Sequence, residues 1–392
     1  MAATHDTETT RRAASLNAAV NEAFAKGQYE QGLQALRILS DILADDPDAQ
    51  HRLAVVEEQI GDPARALNAH QACLALSPTN PLAYLYTGYC LQQQGQLEQA
   101  LRLYSLGSDM DPRFLTPEPG EDPTSLRYLA ASRALRRHLS ALHRSSVGEE
   151  PAVQRIRDAI WTRTHDQSFE FKQPDQIPQL FYIPALEPAP YFVTEDWSWA
   201  SYVESRTAAI MEEFSAASRL LNEQGRPYLD TDIARENPLA SLAGSFNWTA
   251  LDLFRGGLAN TPVCNQFPQT LAALSQVPLY GLSDQPYEVF FSVLKPGQHI
   301  SPHYGLSNHS LTIHLPLITP QPGHLTVNGE ARTWESGKLI AFDDTYLHEA
   351  HNQSPDQRVV LIFSIWHPQL SDLERLAIQR SFRSRLQWLD SR

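Results

Sequence analysis

Cysteine is scarce in this chain and falls in no recognisable pattern. Cys73, Cys90 and Cys264 are far apart and form no CxxC unit, which argues against a disulfide framework or a zinc site built on cysteine. Basic residues are also in deficit: 31 Lys and Arg face 45 Asp and Glu, a net charge of −14. Phosphate backbones need a basic surface, so nucleic acid is not an expected partner, and docking on anionic lipid is disfavoured. No apolar run reaches the roughly 18 residues of a membrane-spanning helix. Residues 1–12 are polar and lack the apolar segment of a secretory leader, so the cytoplasm is the expected compartment. What remains is 392 residues, 42% of them apolar, enough for two or three separate cores.

The first 112 residues are poor in strand formers and carry a repeat. Gly27-Gln28-Tyr29-Glu30-Gln31-Gly32-Leu33 returns as Gly61-Asp62-Pro63-Ala64-Arg65-Ala66-Leu67, then as Gly95-Gln96-Leu97-Glu98-Gln99-Ala100-Leu101. Each glycine ends a helix, and small residues (Gly32, Ala66, Ala100) allow close helix pairing. Ala54 and Gly88, twelve positions before two of these, are expected to face them. Pro78 and Pro112 stop the second helices. This period resembles tetratricopeptide repeats over residues 12–112. Such repeats stack into a solenoid whose concave face grips a peptide or protein segment. The alternative is that the helices only buttress the next domain.

A proline-rich acidic loop, Arg113 to Pro123, marks a boundary, and residues 113–175 read as a helical linker with helices at Ser125–His143 and Pro151–Thr162. Trp197 to Leu221 also reads as helical. From residue 176 to 392 the character changes, with short strands predicted at Val289–Leu294, Leu311–Leu317, His324–Val327, Lys338–Phe342 and Arg358–Trp366. Asn328-Gly329 signals a tight hairpin, and Ser371-Asp372-Leu373-Glu374 is a capping box that opens a last helix. The fold class is therefore multidomain α+β: a helical repeat region followed by a β-sandwich or barrel with flanking helices.

Seven of fourteen histidines fall within Gln298–Gln353. His303 follows an apolar strand, His348 closes another, and Arg358 opens the apolar run to Trp366. A guanidinium there points to solvent or inward to an anion, since an uncompensated buried charge is costly. Imidazole suits iron(II), and arginine binds carboxylate as a bidentate fork. His299 and His309 read as loop residues near the mouth and His324 as a turn residue. His351 reads as close to the site without ligating metal. One of Asp343 and Asp344 reads as a hydrogen-bond acceptor behind the site. Asp230 and Asp232 read as solvated charges, and Trp334 and Trp366 as core.

The same block contains, at fixed spacings, Ser292-Val293-Leu294-Lys295-Pro296-Gly297, Pro302-His303-Tyr304-Gly305, His314-Leu315, Thr333-Trp334-Glu335-Ser336-Gly337-Lys338, Phe342-Asp343-Asp344, His348-Glu349, and Arg358 with Trp366-His367-Pro368. The segment they span closely resembles the catalytic domain of aspartyl/asparaginyl β-hydroxylases. That resemblance implies a double-stranded β-helix (jelly roll) and a dioxygenase using iron(II), 2-oxoglutarate and dioxygen. It implies His303 and His348 as the metal ligands, together with Arg358 as catalytic residues. Ser292, His314 and Arg358 would hold the cosubstrate, Arg358 pairing with its distal carboxylate. Most of the wider superfamily adds a carboxylate ligand two residues after the first histidine, where this chain has Gly305. The implied reaction is hydroxylation at the β-carbon of an aspartyl or asparaginyl residue in a peptide or protein bound by the repeats. Family members commonly carry arginine where this chain has Thr312, on the substrate side of the pocket. Two alternatives stay open: a hydroxylase of a free or carrier-tethered amino acid, and a repeat-based adaptor with an inactive barrel.

Overall fold

A computed structural model describes residues 2–231 and 237–392, with side chains from residue 8 onward. The chain divides into two compact units, one of residues 1–141 with 387–392 and one of residues 142–386. The first cut falls inside a helix, whereas composition alone drew edges at 112 and 175.

The first unit is helical throughout: α1 (Ala2–Ala25), α2 (Tyr29–Ile42), α3 (Pro47–Ile60), α4 (Pro63–Leu76), α5 (Pro81–Gln93), α6 (Leu97–Ser108) and α7 (Pro123–Val147), whose last turns belong to the second unit. Helix starts follow from local chemistry. Asp46, Asp62 and Asn80 each accept backbone N–H bonds at an N-cap, and each precedes a proline at the first helical position, where no N–H is needed. Gly88 does permit a close approach, but its partner is the ring of Tyr104 rather than Ala100. A Cβ at Gly88 would lie 2.5 Å from that ring. Tyr104, fully buried, donates its hydroxyl to Gln92 at 2.9 Å.

The second unit is built on ten principal strands: β1 (Tyr191–Phe192), β2 (Trp248–Arg255), β3 (Glu288–Leu294), β4 (Gln298–His303), β5 (Ser310–Ile318), β6 (Gly323–Val327), β7 (Glu330–Thr333), β8 (Ile340–Phe342), β9 (His348–Asn352) and β10 (Arg358–Trp366). The large sheet runs β1-β8-β5-β10-β3-β2, extended by short strands at Arg226–Pro227 and Leu258–Ala259; the small sheet runs β7-β6-β9-β4. Every ladder is antiparallel. From β3 onward the chain passes repeatedly between the two sheets, which is the jelly-roll arrangement. β10 lies between β5 and β3 and is buried along its whole length, which explains its unbroken apolar run Val359–Phe363.

One face of the large sheet packs against helices Ala200–Ser205, Thr207–Ala216 and Pro268–Leu274 through Val203, Ile210, Phe214, Phe291, Ile313 and Phe363. The other face meets the small sheet through Trp248, Leu294, Ile300, Leu325, Ile340 and Phe342. Asn328 and Gly329 both take positive φ (50° and 78°), giving the two-residue hairpin between β6 and β7 its twist. The capping box forms as read: Ser371 and Glu374 bond reciprocally ahead of helix Asp372–Asp390.

Two helical readings give way. Pro151–Thr162 holds only two short turns, after which Ile160–Trp161 pairs with Phe181–Tyr182 as a two-stranded sheet. Trp197 to Leu221 is three broken helices, not one. The strand Trp248–Arg255 shows no alternation in sequence because five of its eight residues are buried, on both faces of the sheet.

His309 is not a mouth residue. It is buried within an aromatic group of Phe181, Tyr280, Trp366 and Phe382, with ring centroids 4.8–5.9 Å away. Neither ring nitrogen has a hydrogen-bond partner among the described residues. Burial, with a smaller contribution from His367, lowers its pKa to about 3. Between that value and the unfolded value near 6.5, the unfolded chain holds the extra proton, so acid favours unfolding by up to about 1.4 kcal/mol per pH unit. Replacing His309 with Leu is expected to remove that increment. Urea unfolding at several values between about pH 7 and pH 5 should show a shallower loss of stability than in the parent chain.

Candidate active site

His303 and His348 sit directly opposite each other on β4 and β9, with ring centroids 4.1 Å apart. Their orientation depends on an irregularity. Ile300 on β4 and Ala350 on β9 are partners and pack between the sheets, yet His303, three residues on, faces His348, only two residues back. The extra residue on β4 is a β-bulge, and it reverses the alternation so that His303 turns inward.

Both rings are fixed the same way. His303 Nδ1 lies 2.8 Å from the Ser301 carbonyl, and His348 Nδ1 lies 3.0 Å from the Tyr346 carbonyl. A carbonyl can only accept, so Nδ1 carries the proton and Nε2 is left as the lone-pair atom. Burial lowers both pKa values, that of His348 to about 3 with repulsion from His303 added. The pair is therefore neutral at physiological pH, the state in which imidazole binds a metal.

Arg358 begins β10 and is only 2% exposed. Its Nη2 donates to Ser292 Oγ at 3.0 Å, and its Cζ lies 4.9 Å from the centre of the Trp334 ring. Its Nε is buried with no acceptor among the described residues. Burial lowers its pKa to about 9, which leaves it cationic near neutrality. Ser292 Oγ accepts a second bond, from Trp248 Nε1 at 3.0 Å.

His314 carries the opposite tautomer to the facing pair. Its Nδ1 accepts from Trp334 Nε1 at 3.3 Å, so its own proton sits on Nε2 and is available for donation. Its pKa falls well below the usual value, first through burial, then through the nearby Arg358 charge and His348. The Phe342 ring stands 5.1 Å from His314 and 5.6 Å from His348. The five residues singled out in the sequence thus converge through Trp334 and Phe342. Trp334 is core, as read, and also a hydrogen-bond donor that sets the His314 tautomer. Trp248 was not singled out; a tryptophan on an unread strand gives no signal by itself.

Beside this group, a Cβ at Gly305 would lie 2.1 Å from Asp344 Oδ1, so the position has no room for any side chain unless Asp344 moves. Asp344 is half-buried and accepts from Thr312 Oγ1 at 3.2 Å; desolvation, reinforced by the Asp343 charge, raises its pKa to about 8. Asp343 instead braces its loop, accepting from Gln176 Nε2 at 2.6 Å and from the Thr345 N–H at 2.9 Å. His299 and His324 lie within strands rather than in a loop and a turn, and His351 stands on the strand that carries His348. They are paired across β4, β9 and β6, one position out of phase with the inward Ile300, Ala350 and Leu325, and so face the other side of the small sheet. Asp230 is exposed and paired with Arg255 at 3.2 Å; Asp232 lies outside the described residues.

Residues 204–368 match the aspartyl/asparaginyl beta-hydroxylase family, and residues 59–114 match the tetratricopeptide repeat. The chain is 23% identical over 354 residues to the aspartyl/asparaginyl beta-hydroxylase of Homo sapiens, covering 90% of this chain and 42% of that protein. It is 28% identical over 211 residues to aspartate beta-hydroxylase domain-containing protein 2 of Rattus norvegicus, covering 53% and 59%. Over 182 residues it is 30% identical to the ornithine lipid ester-linked acyl 2-hydroxylase of Rhizobium tropici, covering 46% and 61%. The chain spans about half the length of the curated relatives it matches. No helix among the described residues is long and apolar enough to cross a membrane.

The Trp334 bond carries a direct test. In Trp334→Phe, His314 loses the donor that holds its proton on Nε2, so nitrogen NMR of the ring should show a mixture of tautomers in place of one. An unchanged His314 pattern would remove Trp334 from this role.

Proposed function

We propose that this chain, which carries an aspartyl/asparaginyl β-hydroxylase domain behind tetratricopeptide repeats, is an iron(II)- and 2-oxoglutarate-dependent hydroxylase. One observation carries the reading: two neutral imidazoles of the small sheet and a buried arginine of the large sheet both border His314, and the arginine has a donor with no acceptor among the described residues. The donor set suits the groups invoked. His303 and His348 would hold the iron through their free Nε2 atoms, and waters or cosubstrate would complete its coordination, since Gly305 offers none. Arg358 is a buried cation in want of an anion, which the distal carboxylate of 2-oxoglutarate supplies. Ser292 Oγ and His314 Nε2–H would add hydrogen bonds to that carboxylate.

Held there, iron(II) and 2-oxoglutarate would supply, with dioxygen, the oxidising chemistry that places one oxygen atom in a substrate C–H bond and the other in succinate, with carbon dioxide released. The protein's own part is to position and to exclude. The Ser301 and Tyr346 carbonyls keep the two imidazoles in ligating form. Trp334 and Trp248 stiffen the groups that would grip the cosubstrate. The repeats would present a peptide or protein, and the favoured reaction is hydroxylation at the β-carbon of an aspartyl or asparaginyl residue.

Thr312 favours a second reading of the substrate. Where the family commonly places a cation, this chain has a hydroxyl bound to the raised-pKa Asp344, so a negatively charged side chain finds no counter-charge at that position. A free or carrier-tethered amino acid would then be the substrate. Capture of a peptide ligand against capture of a carrier domain separates the two, and a non-catalytic adaptor would do neither chemistry.

The test is the purified chain with iron(II) and 2-oxoglutarate, read by iron content and succinate formation, then by mass spectrometry for one added oxygen in candidate peptides. His303→Ala and His348→Ala should each abolish iron-dependent succinate. Arg358→Ala should mainly raise the 2-oxoglutarate requirement, by a factor of roughly 10 to 100 for a lost charge-assisted anchor of about 1.5–3 kcal/mol. Near-normal succinate from His303→Ala would overturn the ligand assignment.

A further inference from the structure

The bulge that turns His303 inward leaves His299 on the outer face of the small sheet, and a second constellation gathers there. His299 on β4 is the cross-strand partner of His351 on β9, which in turn partners His324 on β6. The three rings form a row: His299 and His351 stack at 3.7 Å and 15°, His351 and His324 at 4.9 Å and 21°. Glu349, next to His348 in sequence but on this outer face, brings one carboxylate oxygen within 2.8 Å of His299 Nε2 and 3.2 Å of His351 Nε2.

We propose that His299, Glu349 and His351 form a second divalent-metal site, for zinc or a similar borderline ion, with the His324 ring stacked beside it. Ligands of a tetrahedral zinc ion, each about 2.0–2.2 Å from the metal, stand roughly 3.3–3.5 Å apart. The two Nε2-to-carboxylate separations are already close to this, and the three ligand atoms all lie within 4.8 Å of one another. The stacked rings would have to turn toward each other to complete the set, and side chains that are 21–39% exposed have the room to do so. Imidazole with carboxylate is the donor mixture that zinc, nickel and copper accept, whereas calcium and magnesium prefer oxygen alone. A net charge of −14 on the chain favours cation binding at an open face.

The site differs in kind from the inner pair. It is solvated, it includes a carboxylate, and it spans β4 and β9, the two strands that carry His303 and His348. A metal bound there would staple those strands together from outside. It would also oppose strand separation without touching the inner cavity. The proposal stands on the outer residues alone and does not need the inner pair to bind iron.

The experiment is zinc titration of the full chain by calorimetry, with stoichiometry from equilibrium dialysis and zinc analysis. Compared with the parent, a His299→Ala/His351→Ala chain should bind one fewer equivalent in the micromolar range, and zinc should raise its unfolding midpoint less. Glu349→Gln, which keeps the shape and removes the charge, should weaken that equivalent by about tenfold or more while the far-ultraviolet circular dichroism stays unchanged. Equal stoichiometry in parent and double variant would overturn the proposal. So would a parent that binds no zinc below millimolar concentration.

Discussion

A guanidinium buried to 2% exposure at the start of a fully buried strand is the constraint around which the second unit is arranged. Unpaired charge in a low-dielectric interior is costly, and Arg358 has no carboxylate partner among the described residues. Its neighbours compensate only in part. Ser292 Oγ accepts one N–H, and the Trp334 face offers its electron-rich side. Both supports are tied down in turn, Ser292 by Trp248 and Trp334 by His314. A pocket built to retain a cation without neutralising it is a pocket prepared for an anion. The same positive charge also helps keep His314 unprotonated, so the cation and the neutral imidazoles are mutually consistent.

Proton placement is the second level of that design. Three histidines in one cavity could adopt many tautomeric combinations, and a binding geometry needs one. Two backbone carbonyls and one indole N–H select it. His303 and His348 expose lone pairs, while His314 exposes a proton. The first kind of nitrogen suits a metal and the second suits a carboxylate oxygen, so the division of labour is written in which ring atom meets the backbone.

Much of this was legible from the chain alone, and the reasons are physical. A 34-residue period survives in sequence because each repeat must bury the same face against its neighbour, and β10 shows itself because a strand buried on both sides has to be apolar throughout. Arg358 stands out because a charge on an apolar strand needs a reason, and His303 and His348 because histidines crowd that block, whereas Ser292 and His314 are marked only by the family resemblance. The rest depends on geometry that residue identity does not encode. A bulge of one residue decides which histidines face inward, and its only trace is the Ser301-Pro302 pair beside His303. His309, read as a loop residue, is held in an aromatic cluster assembled from Phe181, Tyr280, Trp366 and Phe382, more than 200 positions apart at the extremes. The tight contact of Gly305 with Asp344 joins segments nearly 40 residues apart, and nothing local announces it.

That single bulge also explains how one short sheet can present two histidine clusters with different chemistry. Were β4 regular along these same residues, His299 and His303, four positions apart, would share a face by the two-residue period of a strand. With the bulge, one joins a desolvated cavity where burial strips protons from imidazoles, and the other joins a solvated face where Glu349 supplies negative charge. Residue type is identical on the two sides. The environments differ in dielectric and in the presence of a carboxylate, and those two variables set metal preference. Among the described residues the inner pair has no carboxylate beside it and would leave most of a metal's coordination sphere open, as a reacting metal requires, whereas the outer set would bring its own charge and suit an ion that only holds strands together.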